Sequence, residues 1–337
     1  MLLDIILIII LSVLGFFFLR NFAFKIKLLD FPNYRKIHTK PIPLIGGIVI
    51  GGIIIFAVLL FDFKSYEYSI ILNFSLFIVI VGFLDDLKNL SAANKLILLS
   101  FPIFFLILKY DFFITDLGEY PYLGIINLGT FAPIFTLLCI FLFINACNYL
   151  DGIDGSLSII YLNSVMILFL ITENKNIDLN YFYITITFPV VIFLFFNLMK
   201  FLPKTFLGDS GSLLLGYLLS CLMIISHNNF QVHPILIAWS VNLIVFDFLF
   251  VNIKRIRLNK NILTPSKDHI HHVCFLHTKS ITLSNIILIS INSFFAGIGI
   301  ITLYYFNSLA SLVAYLITFI LYISIRNKLD FINIKKN

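Results

Sequence analysis

The segment FAPIFTLLCIFLFINACNYLDGIDG, residues 131–155, runs an apolar stretch straight into a cluster of amides and carboxylates. About 17–25 predominantly apolar residues make a helix that crosses a bilayer. Residues 131–147 meet that length, so the segment reads as a membrane helix with a polar end. The pattern repeats outward in both directions. Eleven runs are expected as transmembrane helices, at about 1–19, 44–61, 69–84, 94–110, 131–147, 156–172, 181–199, 212–226, 233–253, 282–305 and 308–325.

Composition points the same way. The 337 residues are 60% hydrophobic and 12% charged, with a mean hydropathy of +1.04. So few charges cannot cover a soluble domain of this length. The expectation is an all-α integral membrane protein, a single polytopic domain over 1–337. The first run has no basic n-region and no small-residue cleavage site, so it reads as a retained helix rather than a signal peptide. Cys139, Cys147, Cys221 and Cys274 form no CxxC pair, so no disulfide framework is expected. The sequence carries no nucleic-acid-binding module.

Lys and Arg concentrate in cytoplasmic loops. With the N-terminus outside, twenty of the 23 Lys and Arg fall on the cytoplasmic side, leaving only Lys64, Lys109 and Lys175 outside. The C-terminus is then cytoplasmic. The loop 111–130, with Gly118, Pro121, Gly124 and Gly129 among aromatics, is expected as a small hairpin on the outer face. The net charge of +6 suits anionic headgroups or phosphorylated substrates.

Five polar stretches interrupt the apolar runs: 35–47, 82–95, 145–155, 206–212 and 267–272. Under this orientation all five are cytoplasmic and can form one site. Charged groups near a bilayer are costly and mark function more often than packing. Asp85 and Asp86 repel each other unless a cation, metal or proton intervenes, and Lys95 is close enough to supply one charge. They also read as helix-end charges reaching water. Asn145, Asn148, Asp151 and Asp154 recur every three residues, which places them on one helical face. Their oxygens suit a hard cation such as magnesium; the bland reading is a Gly-Asp turn. Gly208 to Ser212 precede a helix, where backbone N–H groups bind phosphate or where Asp or Ser simply caps. His269, His271 and His272 lie among basic residues and suit zinc, a diphosphate, or nothing beyond a solvated basic loop. Arg35, Lys36 and His38, beside Pro41, Pro43, Gly46 and Gly47, read equally as an anion grip and as an orientation signal.

In order, these stretches spell DxPNxRKxHxxPxPxxGG at 30–47, DD and a lysine at 85–95, NxxNxxDGIDG at 145–155, GDxGS at 208–212 and HIHH at 269–272. This set resembles the polyprenyl-phosphate N-acetylhexosamine-1-phosphate transferases, glycosyltransferase family 4, over about residues 28 to 325. The RKxHxxPxP segment looks most like the UDP-GlcNAc:undecaprenyl-phosphate type. The resemblance implies transfer of a sugar 1-phosphate from a UDP-N-acetylhexosamine to undecaprenyl phosphate. UMP is released and a lipid-linked cell-envelope glycan begins. It also implies a magnesium cofactor, with manganese able to substitute, a bacterial cytoplasmic-membrane location and the bilayer as a partner; a homodimer is left open. Carried over residue by residue, the metal-binding candidates are Asn148, Asp151 and Asp209. The catalytic candidates are Asp85, Asp86, Asp151 and Asp154. Lys95, Asn145, His269, His271, His272, Lys36 and His38 are the substrate-binding candidates. Lys267 stands before the histidines where relatives commonly carry arginine, and it cannot grip phosphate bidentately. The other readings are the same reaction with a FucNAc, QuiNAc or MurNAc-pentapeptide donor, and a lipid-phosphate transporter. A transporter would place polar groups mid-membrane on broken helices.

Overall fold

A computed structural model describes residues 2–32, 38–61, 63–173, 175–260 and 268–336, and their side chains except at 92 and 330–336. Thirteen helices dominate the described residues: α1 (Leu2–Ile26), α2 (Gly46–Leu60), α3 (Tyr66–Lys88), α4 (Ala92–Tyr110), α5 (Ala132–Leu150), α6 (Ser156–Ile171), α7 (Ile177–Leu198), α8 (Gly208–Asn228), α9 (Pro234–Ser240), α10 (Asn242–Arg257), α11 (Ile270–Thr278), α12 (Ile281–Tyr305) and α13 (Ser308–Lys336). Two antiparallel pairs accompany them, β1 (Leu29–Asp30) with β2 (Ile42–Pro43) and β3 (Asp116–Tyr120) with β4 (Gly124–Asn127). The second pair is the hairpin expected within 111–130.

Each of the eleven apolar runs falls on a helix or, for 233–253, on the pair α9 and α10. Eight helices are long and apolar enough to cross a bilayer, and the bent pair makes a ninth. The other two, α2 and α6, have 15 and 16 residues. At 1.5 Å per residue they reach only about 22–24 Å, against a hydrocarbon core of about 30 Å. Length and composition therefore give eight or nine spans among the described residues, where eleven are expected.

Contacts divide the chain into two compact units interleaved along the sequence. The first comprises Met1–Phe112, Leu137–Ser158 and Asn174–Leu222; the second comprises Phe113–Thr136, Ile159–Glu173 and Met223–Asn337. In the first unit, α8 lies deepest. Its Tyr217 hydroxyl donates to the Ile71 carbonyl at 2.9 Å, and Gly216 lets the α5 backbone at Ile144 approach. Ser91 and Asn176 cap α4 and α7, accepting from Asn94 N and Leu179 N.

In the second unit the expected single span over 233–253 is broken. The α9 and α10 axes differ by 77° across Val241. Breaking a helix in lipid frees backbone groups that other partners must satisfy. Asn292 of α12 does this from both ends of its amide: Oδ1 accepts from Leu243 N at 3.3 Å and Nδ2 donates to the Ser240 carbonyl at 3.2 Å. Asn242 Nδ2 donates to the Trp239 and Asn292 carbonyls at 2.6 and 2.9 Å.

Candidate active site

Four of the five polar stretches meet inside the first unit. Asp85 and Asp86 close α3. Asp85 Oδ1 accepts from Leu90 N at 2.8 Å, which secures the turn after the helix. Its other oxygen pairs with Lys95 of α4, whose Nζ also lies 3.6 Å from Asp209 Oδ2. Asp209 opens α8 and keeps 36% of its side-chain surface exposed, so it stays reachable. From α5, Asn148 Nδ2 donates to Asp209 Oδ1 at 2.6 Å and to Ser212 Oγ at 2.8 Å. Asp151 is half-buried just beyond α5. Burial, then the charges of Asp209, Asp154 and Asp86, push its carboxyl up to about 8. Asp154 pairs with Lys204, whose Nζ lies 5.4 Å over the Phe206 ring.

Glycines bring these backbones together. A Cβ on Gly47 would sit far inside van der Waals contact with Gly211 N, and one on Gly82 would strike the Ser210 backbone. Both residues therefore form a seat for the start of α8. The first polar stretch is zipped to the fourth: Phe206 N donates to the Pro43 carbonyl, and Gly46 N and Gly47 N donate to the Phe206 and Leu207 carbonyls, each at 2.9 Å. His38 packs edge-on against Phe206, with Nε2 2.9 Å from Asp30 Oδ2 and Nδ1 2.9 Å from the Lys40 carbonyl.

Two candidates take on different parts from those expected, and a third lies outside the described residues. Asp86 is a cap. Its Oδ1 and Oδ2 accept from Asp209 N and Ser210 N at 2.8 and 3.1 Å, so a neighbouring helix supplies the acceptor for the α8 N-terminus. Those N–H groups are thereby withdrawn from the phosphate-binding role read into 208–212. Asn145 turns back along α5, Nδ2 donating to the Phe141 carbonyl at 2.8 Å. Lys36 lies outside the described residues, as do Arg35 and Lys267.

The histidines belong to the second unit. His269 precedes α11, and its Nδ1 lies 2.8 Å from Asp247 Oδ2. Asp247 Oδ1 accepts from Ile270 N at 2.9 Å and from the Tyr322 hydroxyl at 3.1 Å. His271 is fully buried, and its ring nitrogens have no hydrogen-bond partner among the described residues. Burial, then the nearby His272, His269 and Arg326, hold its pKa well below the usual imidazole value. His272 is half-buried. Sequence reading passed over Asp247 because it sits inside an apolar run. An acid in such a run is itself the signal.

Among the described residues no group of three or more His, Cys, Asp or Glu side chains is arranged to hold a metal ion. Asp151 and Asp209 supply carboxylate oxygens, and Asn148 supplies an amide oxygen once its amide, whose Nδ2 now faces Asp209 Oδ1, is turned over; hard oxygen donors of this kind suit magnesium. Burial raises the Asp151 carboxyl first, and the charges of Asp209, Asp154 and Asp86 close by raise it further, a setting that a bound cation would relieve. The set therefore fits a divalent cation.

Comparison with known proteins matches residues 68–227 to glycosyl transferase family 4. A Bacillus subtilis protein named as a probable undecaprenyl-phosphate N-acetylglucosaminyl 1-phosphate transferase is 34% identical over 263 residues, covering 75% of this chain and 71% of the relative. Proteins named undecaprenyl-phosphate alpha-N-acetylglucosaminyl 1-phosphate transferase from Yersinia pestis and Salmonella typhi are 28% and 25% identical. The first match covers 76% of this chain and 72% of the relative, the second 91% and 85%. The matched stretch 68–227 holds the Asp85, Asp151 and Asp209 motifs and stops short of the histidines. The chain is a multi-pass membrane protein that belongs to glycosyl transferase family 4.

Proposed function

We propose that the protein transfers GlcNAc-1-phosphate from UDP-GlcNAc to undecaprenyl phosphate in the bacterial cytoplasmic membrane, releasing UMP. The observation that carries this reading is the charge imbalance around Asp209. Lys95 pairs with Asp85 and lies 3.6 Å from Asp209, and Lys204 pairs with Asp154, while Asp86 accepts from Asp209 N and Asp151 stands close enough to Asp209 that burial and then this charge raise the Asp151 carboxyl. Two anionic phosphates could not approach such a cluster without a bound cation. The relatives' names add the lipid acceptor and the sugar.

Asp209, Asp151 and Asn148 would hold the magnesium, which when bound offsets negative charge on phosphoryl oxygens. A lipid-phosphate oxygen attacks the phosphorus that bears the sugar, and the diphosphate bond to UMP breaks. That oxygen needs no base: a phosphate monoester has a second pKa near 6 and is mostly dianionic at pH 7. Asp85 accordingly orients Lys95, the cation placed between Asp85 and Asp209, toward an incoming phosphate. Asp86 fixes the start of α8 and so the direction of Asp209. The histidine loop takes the nucleotide-sugar end.

The test is product formation. Purified protein given labelled UDP-GlcNAc and undecaprenyl phosphate should yield lipid-linked GlcNAc-1-phosphate with magnesium and none with EDTA. Asp209→Asn should lower turnover by at least about a hundredfold with the melting midpoint retained; equal turnover in EDTA would refute the metal role. A panel of UDP-sugars separates GlcNAc from the FucNAc, QuiNAc and MurNAc-pentapeptide donors. The transporter reading gains one feature, the broken span at Val241. The amides there are engaged with backbone groups at the break, however, which disfavours them as a cargo site.

A further inference from the structure

Two carboxylates in this protein cap a helix that is not their own. Asp86 of α3 caps α8. Asp247 of α10 does the same for α11, accepting from Ile270 N at 2.9 Å. The second case carries more than a cap. Asp247 is 2% exposed within the apolar run of α10, where an acid is costly unless its oxygens are engaged. They are engaged by three groups from two other elements: His269 Nδ1, Ile270 N and the Tyr322 hydroxyl. His269, although it stands at the N-cap position of α11, makes no side-chain cap bond. Its ring is turned to Asp247 instead, and Asp247 performs the capping.

We infer that Asp247 is a positioning residue for the nucleotide-sugar end of the reaction. It sets the orientation and tautomer of His269 and anchors the first turn of α11. A carboxylate accepts from Nδ1–H, so the His269 proton is held on Nδ1 and the ring plane is fixed. The adjacent bond to Ile270 N fixes the backbone from which His271 and His272 follow. Tyr322 restrains the carboxylate from α13. Partners that orient a metal-ligating imidazole change affinity or activity by about 10–100-fold when removed, and the same restraint on His269 is expected to act on substrate affinity. The inference rests on the histidine loop being the nucleotide-sugar end.

The experiment combines kinetics with histidine-selective nitrogen-15 spectra of the full-length protein in detergent. Asp247→Asn should raise KM for UDP-GlcNAc about tenfold and leave KM for undecaprenyl phosphate unchanged. It should also move the His269 Nδ1 signal away from its carboxylate-bonded position. The double variant Asp247→Asn with His269→Ala should be no worse than His269→Ala alone. An unmoved Nδ1 signal, losses that multiply in the double variant, or equal rises in both KM values would overturn the positioning role. If the signal moves but His269→Ala leaves KM for UDP-GlcNAc untouched, the contact stands and the nucleotide-sugar assignment of the loop is overturned. Tyr322→Phe keeps the carboxylate and removes one bond to it. Should Asp247→Asn not fold, Tyr322→Phe is expected to show the same KM change at smaller size, and an unchanged KM there would overturn the inference.

Discussion

Asp86 looks like half of a catalytic pair in the sequence, yet both of its oxygens are engaged by backbone N–H groups of α8. Asp86→Ala leaves those donors without an acceptor at a helix start, which costs about 1–2 kcal/mol. The melting midpoint should fall accordingly, and activity should fall with it because Asp209 loses its fixed direction. Asp86→Asn retains one acceptor and should lose about half as much. An unchanged midpoint in Asp86→Ala would remove the capping role. His271 gives a pH test. Its folded pKa lies well below the unfolded value, so between the two the unfolded chain binds the extra proton. Its contribution to stability is complete above pH 7 and is lost as pH falls through about 6.5 and below. The slope can reach about 1.4 kcal/mol per pH unit from this group. Melting curves between pH 7.5 and 5 should show the decline, and His271→Gln, which cannot titrate, should flatten it.

At the scale of elements, the glycines of the first polar stretch act through a partner far along the chain. Gly47→Ala pushes a methyl into the Gly211 backbone. It should destabilise by about 1–3 kcal/mol and lower activity, because the start of α8 carries Asp209. Gly52 lies on the same helix and has nothing within 4 Å of an added Cβ. Gly52→Ala should therefore be neutral, or stabilising by up to about 1 kcal/mol; similar effects of the two changes on melting and turnover would refute the seat. The contrast marks what the sequence can tell. Apolar runs of bilayer length located every helix that contains a span, because desolvation in lipid leaves helices few alternatives. The hairpin at 116–127 followed from its glycines and proline. The break at Val241 did not follow, because no Pro or Gly occurs within 235–253 and the bend is held by Asn292 of another helix. The Asp85, Asn148, Asp151 and Asp209 cluster was legible from the shared face of the polar stretches and from the family resemblance of their motifs. The division of labour between Asp85 and Asp86 was not, since it depends on which one faces the α8 N-terminus.

For the whole molecule, orientation and span number are tied together. If α2 and α6 fail to cross, the second and third polar stretches move to the opposite face from the first and fourth. Contacts within the first unit weigh against that. Gly47 at the start of α2 and Gly82 near the end of α3 both abut the first turn of α8. Lys95 near the start of α4 and Asn148 near the end of α5 both reach Asp209. Between these points the chain must travel out and return. This supports α2 as a full crossing partner for α3, despite its 15 residues. Asp154, which follows α5, pairs with Lys204, which follows α7, so the ends of these two helices also meet within the first unit. The expected eleven crossings with the N-terminus outside would put Lys88 and Lys200 in the cytoplasm and Lys109 and Lys175 outside. Single cysteines at these four positions, in a background with Cys139, Cys147, Cys221 and Cys274 replaced, test the arrangement. A membrane-impermeant maleimide applied to intact cells should label Lys109→Cys and Lys175→Cys, and should label Lys88→Cys and Lys200→Cys only after lysis. Labelling of Lys88→Cys on intact cells would mean that α2 does not cross, and the cytoplasmic placement of the Asp209 site would fall with it.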